Sequence, residues 1–146
     1  VEIKWFFAGV AVADYPSARV WYERMIGRPP NFTPHEHEAV WQIVANGWIY
    51  VVADTERAGK ALLTFMVDNL DRHVAELKER GVAVGAIETR PGLYQSAEVT
   101  DPEGNTITFA QALTPGNDGR SSLQMLCDKT APSQKARLSM FTVVWA

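Results

Sequence analysis

The densest run of chemically competent side chains is His35-Glu36-His37-Glu38. In an extended backbone His35 and His37 share one face, and Glu36 and Glu38 share the other. Two imidazoles at that spacing could hold Zn²⁺ or Ni²⁺, and a carboxylate beside them could serve as a general base. The same four residues also suit a solvated loop ahead of a strand, or a rim where His37 or Glu38 meets a ligand. The solvated loop is the expectation. His73 lies in a helical stretch and is expected on its wet side. Cys127 is the single cysteine and has no obvious His partner, so a thiolate nucleophile is not expected. No GxSxG, P-loop, HExxH or strand-borne GxGxxG occurs.

These residues need elements to hold them, and the clearest is Asp101-Pro102-Glu103-Gly104-Asn105 followed by Thr106-Ile107-Thr108-Phe109. Asp-Pro opens a turn whose carboxylate can accept backbone N–H groups ahead of it. Gly104-Asn105 tolerates the positive φ of a tight hairpin. The Thr-Ile-Thr-Phe alternation is a strand with one buried and one wetter face. Upstream, residues 5–13 read as a strand. Ala18, Trp21, Tyr22 and Met25 recur at helical spacing behind a cap at Ser17 or Asp14, and Gly27 stops that helix. Arg28–Phe32 is extended at best, and its two prolines exclude a central strand. Glu38–Val44, the Asn46-Gly47 turn and Trp48–Val52 form a hairpin. The pattern then repeats: strand Leu62–Val67, helix with Leu70, Val74 and Leu77 ending near Arg80-Gly81, extended Val82–Ile87, strand Leu93–Val99, and strand Thr106–Ala110. Two such modules of ~55 residues are too small to stand alone, so a shared core is expected.

The chain has 146 residues, 47% apolar and 21% charged, with net charge −3. That balance is one of a soluble globular protein. Without a basic run, nucleic acid is not an expected partner. Trp5–Ala13 is read as a strand rather than a signal segment, and no stretch approaches the ~20 apolar residues of a membrane span. One cysteine suits a reducing cytoplasm.

Val12-Ala13-Asp14, Trp21-Tyr22 and Gly27 in the first half, and Val67-Asp68-Asn69-Leu70, Leu77, Gly81 and the Asp-Pro-Glu-Gly-Asn turn in the second, resemble the vicinal-oxygen-chelate superfamily. That superfamily includes glyoxalase I, extradiol dioxygenases and bleomycin-resistance proteins. The resemblance covers about residues 3–113. It implies an α+β fold of two βαβββ modules, about 3–54 and about 60–113, forming a cupped half-barrel sheet with helices outside. It also implies a ligand on the concave face and a homodimer, with modules paired within one chain or exchanged between two. Metal-dependent members place His early in each module's first strand and Glu late in its last. Counting from the matching Asp, Asn and Gly puts those slots at Phe7, Leu62 (or Ala61), Val51 (Tyr50 if the register slips) and Thr108. None is a usual metal ligand, so neither a metal nor another cofactor is expected there.

Alternation assigns the remaining ligand-facing candidates. Trp5 and Phe7 share parity. Gln42 lies between Trp41 and Ile43. Tyr50, Leu62, Tyr94, Glu98, Thr106 and Thr108 complete the expected lining. Aromatic walls with few polar groups suit a small aromatic or cationic molecule, which Glu98 or Glu38 could face. The expected function is sequestration of such a molecule. The alternatives are a superfamily lyase, isomerase or dioxygenase using displaced ligands or metal-free acid–base chemistry, and an interaction module with a filled cup. Residues 114–146 begin with linker composition and end on the apolar Met140–Trp145. They are expected to be a poorly ordered extension, an edge strand or dimer contact, or a plug.

Overall fold

The structure is a computed structural model that describes residues 2–113. The first module contains β1 (Phe6–Val12), α1 (Tyr15–Ile26), β2 (Phe32–His35), β3 (Glu38–Val44) and β4 (Gly47–Ala53). The second contains β5 (Leu62–Met66), α2 (Leu70–Glu79), β6 (Glu88–Arg90), β7 (Tyr94–Thr100) and β8 (Thr106–Ala112). Each module therefore has the expected βαβββ order. The extension, edge strand or plug expected within 114–146 lies outside the described residues.

Each module builds one four-stranded sheet, in orders β1-β4-β3-β2 and β5-β8-β7-β6. β1 runs parallel to β4 and β5 parallel to β8, and the other neighbours are antiparallel. A helix crossover is what lets the first and last strands of each module lie parallel. Pro34 falls in β2, which its missing N–H confines to the sheet edge. The two sheets are not hydrogen-bonded into one, so the half-barrel stays open.

What joins the modules is side-chain packing on the helix side. Val10, Val12, Trp41, Ile49 and Val51 of the first sheet share one buried cluster with Ala97, Val99, Ile107 and Phe109 of the second. Tyr22 and Met25 of α1 and Leu70, Val74 and Leu77 of α2 fill the space between. Burial of large apolar side chains, each contributing roughly 1.5–3 kcal/mol, is the main stabilising term.

Polar groups of the second module then fix the first. Asp101 Oδ1 accepts from the N–H groups of Glu103 and Asn105, at 2.9 and 3.0 Å, as the Asp-Pro turn requires. Asn105 Nδ2 donates to Asp101 Oδ2 (2.7 Å) and to the Ala11 carbonyl (3.1 Å), and its Oδ1 accepts from Ala61 N–H at 2.8 Å. Asn105 is thus a buried bridge and does not share the positive φ expected for the pair. Gly104 alone carries it, at 103°.

Helix α1 is held at both ends by the other module. Asp14 is its N-cap, accepting from Ser17 N–H. The Glu103 carboxylate accepts from the N–H groups of Ala13 and Asp14, so an anion sits at the positive end of the helix. At the other end Arg80, just past α2, donates from Nε to the Arg24 carbonyl (2.7 Å) and from Nη2 to the Met25 carbonyl (2.9 Å). Those carbonyls have no partner inside the helix.

The sequence differs from the structure in three further places. Val82–Ile87 forms no strand, because only Gly85 N–H reaches the sheet, at the Glu98 carbonyl. Trp5 stands one residue ahead of β1 rather than in it. Val51 is fully buried on the helix side, so Tyr50 occupies the last-strand slot on the opposite face.

Candidate functional site

Strand alternation sorts the sequence candidates onto the face that the helices leave open. In the first sheet Phe7 pairs in register with Trp48, and Trp48 with Gln42. The Phe7 and Trp48 rings are stacked, with centroids 5.9 Å apart and planes 14° from parallel. Phe32 meets the same indole edge-on at 5.9 Å. Tyr50 follows two residues on, and its ring lies across Gly9, where any Cβ would meet it at 2.5 Å. The absence of a side chain at Gly9 lets that ring lie flat on the sheet. Phe7 and Phe32 are about half exposed, at 50% and 47%, so their rings are open to a ligand.

Gln42 is on this face but turns back to the hairpin, donating from Nε2 to the Ala45 carbonyl at 2.8 Å. Trp5 is exposed beside the sheet. In the second sheet Leu62 pairs with Thr106, and Thr108 lies between Thr64 and Glu98. Tyr94 is on the same face, opposite Ala112. Leu62 and Glu98 are exposed, whereas Thr108 is only 6% exposed and presents little surface. The nine candidates thus form two groups, one per sheet.

Trp48 and Phe32 complete the aromatic group and were absent from the expected lining. The sequence signal for Trp48 was its parity with Tyr50. Phe32 had none, because the neighbouring prolines mask a strand.

The positions expected from the resemblance to be the metal slots on this face, with Tyr50 taken in place of Val51, are Phe7, Tyr50, Leu62 and Thr108. Two hydrocarbons, a phenol and a nearly buried hydroxyl do not fit a divalent cation, which takes imidazole, carboxylate or thiolate donors. No chemical step is therefore derived through a metal. Among the described residues no group of three or more His, Cys, Asp or Glu could hold one.

The His-Glu run is a rim feature. His35 Nε2 meets Glu38 Oε2 at 3.0 Å, and His37 Nε2 meets Glu36 Oε1 at 3.4 Å, all near the β2–β3 turn. Each imidazole is paired with a carboxylate and both are more than half exposed, so the four do not converge.

A cavity of about 600 Å³ opens between the modules, mainly on the helix side of the sheets. Phe6 and Ala8 reach it with the parity of Val10, and Leu63 and Phe65 with the parity of the second core, while Trp48, Thr64 and Met66 border it from the open face. His73, expected on a solvated face, lines this cavity instead. Its ring lies 4.4 Å from that of Phe109, and its Nε2 is buried without a hydrogen-bond partner. Burial, and secondarily Arg80, holds its pKa below the ordinary value, with Glu76 opposing.

The family model of the Glyoxalase/Bleomycin resistance protein/Dioxygenase superfamily matches residues 4–109. The chain belongs to that superfamily. Its resemblance is strong to a glyoxalase/bleomycin resistance protein from Catenulispora acidiphila, with 39% identity over 73% of this chain and 96% of that one, at a TM-score of 0.70. An antibiotic binding protein from a Streptomyces species is 25% identical over 76% of this chain and 95% of that one, with TM-score 0.60. A lactoylglutathione lyase from Agrobacterium tumefaciens shares the fold at 14% identity, covering 73% of this chain and 91% of that one, with TM-score 0.61. No curated protein matches. Among the described residues of this superfamily member, no helix is long and apolar enough to cross a membrane.

Proposed function

We propose that this superfamily member binds and sequesters a small aromatic or cationic molecule on the open face of its sheets. The observation that carries the reading is the stacked Phe7–Trp48 pair, with Phe7 half exposed, Trp48 partly buried and Phe32 edge-on against the indole. A planar ligand laid on such rings gains apolar burial and aromatic contact, about 0.5–1.5 kcal/mol per ring pair beyond area alone. Glu98 on the second sheet and the net charge of −3 favour a cation. The Streptomyces antibiotic binding protein supports a binding role. In this reading Leu62, Tyr94 and Thr106 form the facing wall, supplied within one chain or by the second copy in a homodimer. A single cysteine suits a reducing cytoplasm as its compartment.

The test is thermal-shift and tryptophan-fluorescence screening of planar aromatic cations and neutral aromatics, with and without divalent metals. A ligand should raise Tm and quench fluorescence without added metal. Phe7→Ala should then weaken it by about ten-fold. Binding that strictly requires a divalent metal, or that Phe7→Ala leaves untouched, would overturn the reading, and turnover of the bound compound would favour the enzyme alternative.

A further inference from the structure

The cavity lies mainly on the helix side and shares Trp48 with the aromatic group, but no superfamily slot and no sequence candidate lines it. We propose that it is a second binding site, taking a neutral, compact and largely apolar molecule that carries one hydroxyl or carbonyl oxygen. The volume of about 600 Å³ is within the usual range of roughly 300–1,000 Å³ for small-molecule sites. Its walls are mostly hydrocarbon, with Ala8, Ile26, Leu63, Phe65 and Phe109 contributed by both modules.

The polar anchor is His73. Its Nε2 and the indole Nε1 of Trp48, both on residues that line the cavity, are the buried side-chain polar atoms that find no partner among the described residues, and of the two only the imidazole nitrogen can accept as well as donate. Buried polar groups are nearly always satisfied, and an orphan costs about 1–3 kcal/mol. One ligand oxygen within reach of Nε2 removes that cost, whereas a purely apolar guest leaves it standing. Held neutral by burial, this imidazole offers no charge to an ion. Arg28 at the wall is already engaged, donating to Asn31 Oδ1 at 2.9 Å and to the Gln42 carbonyl. The charge pattern therefore selects a neutral guest rather than an anion or a metal.

The probes are 2-naphthol and naphthalene, two planar guests differing by one hydroxyl. The full-length protein carries methyl-¹³C methionine, because Met25 lines the cavity from α1. 2-Naphthol should shift the Met25 methyl resonance saturably. Leu63→Trp and, as a second block, Ala8→Leu should abolish the shift. His73→Phe should weaken 2-naphthol by about five-fold while leaving naphthalene within about two-fold. Phe7→Ala, which strips the aromatic face, should leave the Met25 response in place.

A Met25 resonance unmoved up to the solubility limit overturns the site, whether the space is held by water, by another segment of the chain or by a second copy. Equal effects of His73→Phe on both probes overturn the anchor. Loss of the response in Phe7→Ala would mean that the two sites are one. Failure of the aromatic-face reading with the Met25 response intact leaves this inference standing.

Discussion

Tyr22 Oη donates to Asp101 Oδ2 at 2.9 Å, joining the buried face of α1 to the turn between β7 and β8 across 79 positions of sequence. The phenol is fully buried and Asp101 is 3% exposed. Burial first, then the Asp101 charge and hydrogen bond, raise the phenol pKa far above its ordinary value. This contact holds the two modules in one orientation, and with them the cavity between.

Tyr22→Phe should destabilise the protein by about 1.5–3 kcal/mol, because the buried carboxylate loses a donor. Urea denaturation should show a lower midpoint with an unchanged slope. The unfolded phenol ionises near pH 10 while the folded one stays protonated, so the native protein should also lose stability as pH rises through about 10. The Phe variant should lack that component.

Glu103→Gln should weaken the hold on the first turn of α1. A neutral amide oxygen accepts less strongly from the Ala13 and Asp14 N–H groups and no longer complements the helix dipole. The expected cost is about 0.5–2 kcal/mol. Arg80→Met, at the opposite end, should cost a similar amount. Because the two contacts lie at opposite ends of the helix, the double variant should show near-additive losses in midpoint.

His73→Phe should stabilise the free protein by roughly 1 kcal/mol, since it removes an unpartnered buried nitrogen and keeps a ring against Phe109. The native imidazole has a lowered pKa, so the unfolded chain binds its proton first as pH falls below about 6.5. Stability should therefore decline on acidification from pH 7 toward the folded pKa. Thermal melts across that window should show a shallower decline for the Phe variant. An equal slope in both proteins would contradict the assignment.

Gly9→Ala should displace the Tyr50 ring, whose far end occupies the position of the new Cβ. The cost to stability should be small, below about 1 kcal/mol, because the tip of a side chain is what must move. Tyr50 ring-proton shifts should change, and Gly9→Ala should add nothing in a Tyr50→Ala background.

Much of this arrangement is legible in local pattern. Alternation in Phe7, Tyr50, Leu62 and Glu98 is enough to place them opposite the helices, since a strand has period two whatever it packs against. The helical spacing of Ala18, Tyr22 and Met25, and of Leu70, Val74 and Leu77, is enough to mark the buried stripes. The duplicated βαβββ order follows from the same periodicities and the turn residues between them. Counting from turns was less secure at Val51, because Gly47 is itself the first residue of β4 whereas Gly104 stands two residues ahead of β8, so equal counts from the two glycines reach opposite faces.

The tertiary structure alone decided what meets across the modules. Asn105 looked like a turn residue and is a buried bridge to Ala11 and Ala61. His73 looked solvated by helix position, yet it lines a cavity walled by both modules. Glu103 was legible only as part of a turn and Arg80 only as the end of a helix, yet they grip the two ends of a distant helix. A residue's own neighbours fix its φ, its face and its period. Which group 44 to 94 positions away satisfies its hydrogen bonds is set only when two sheets and two helices close on one core.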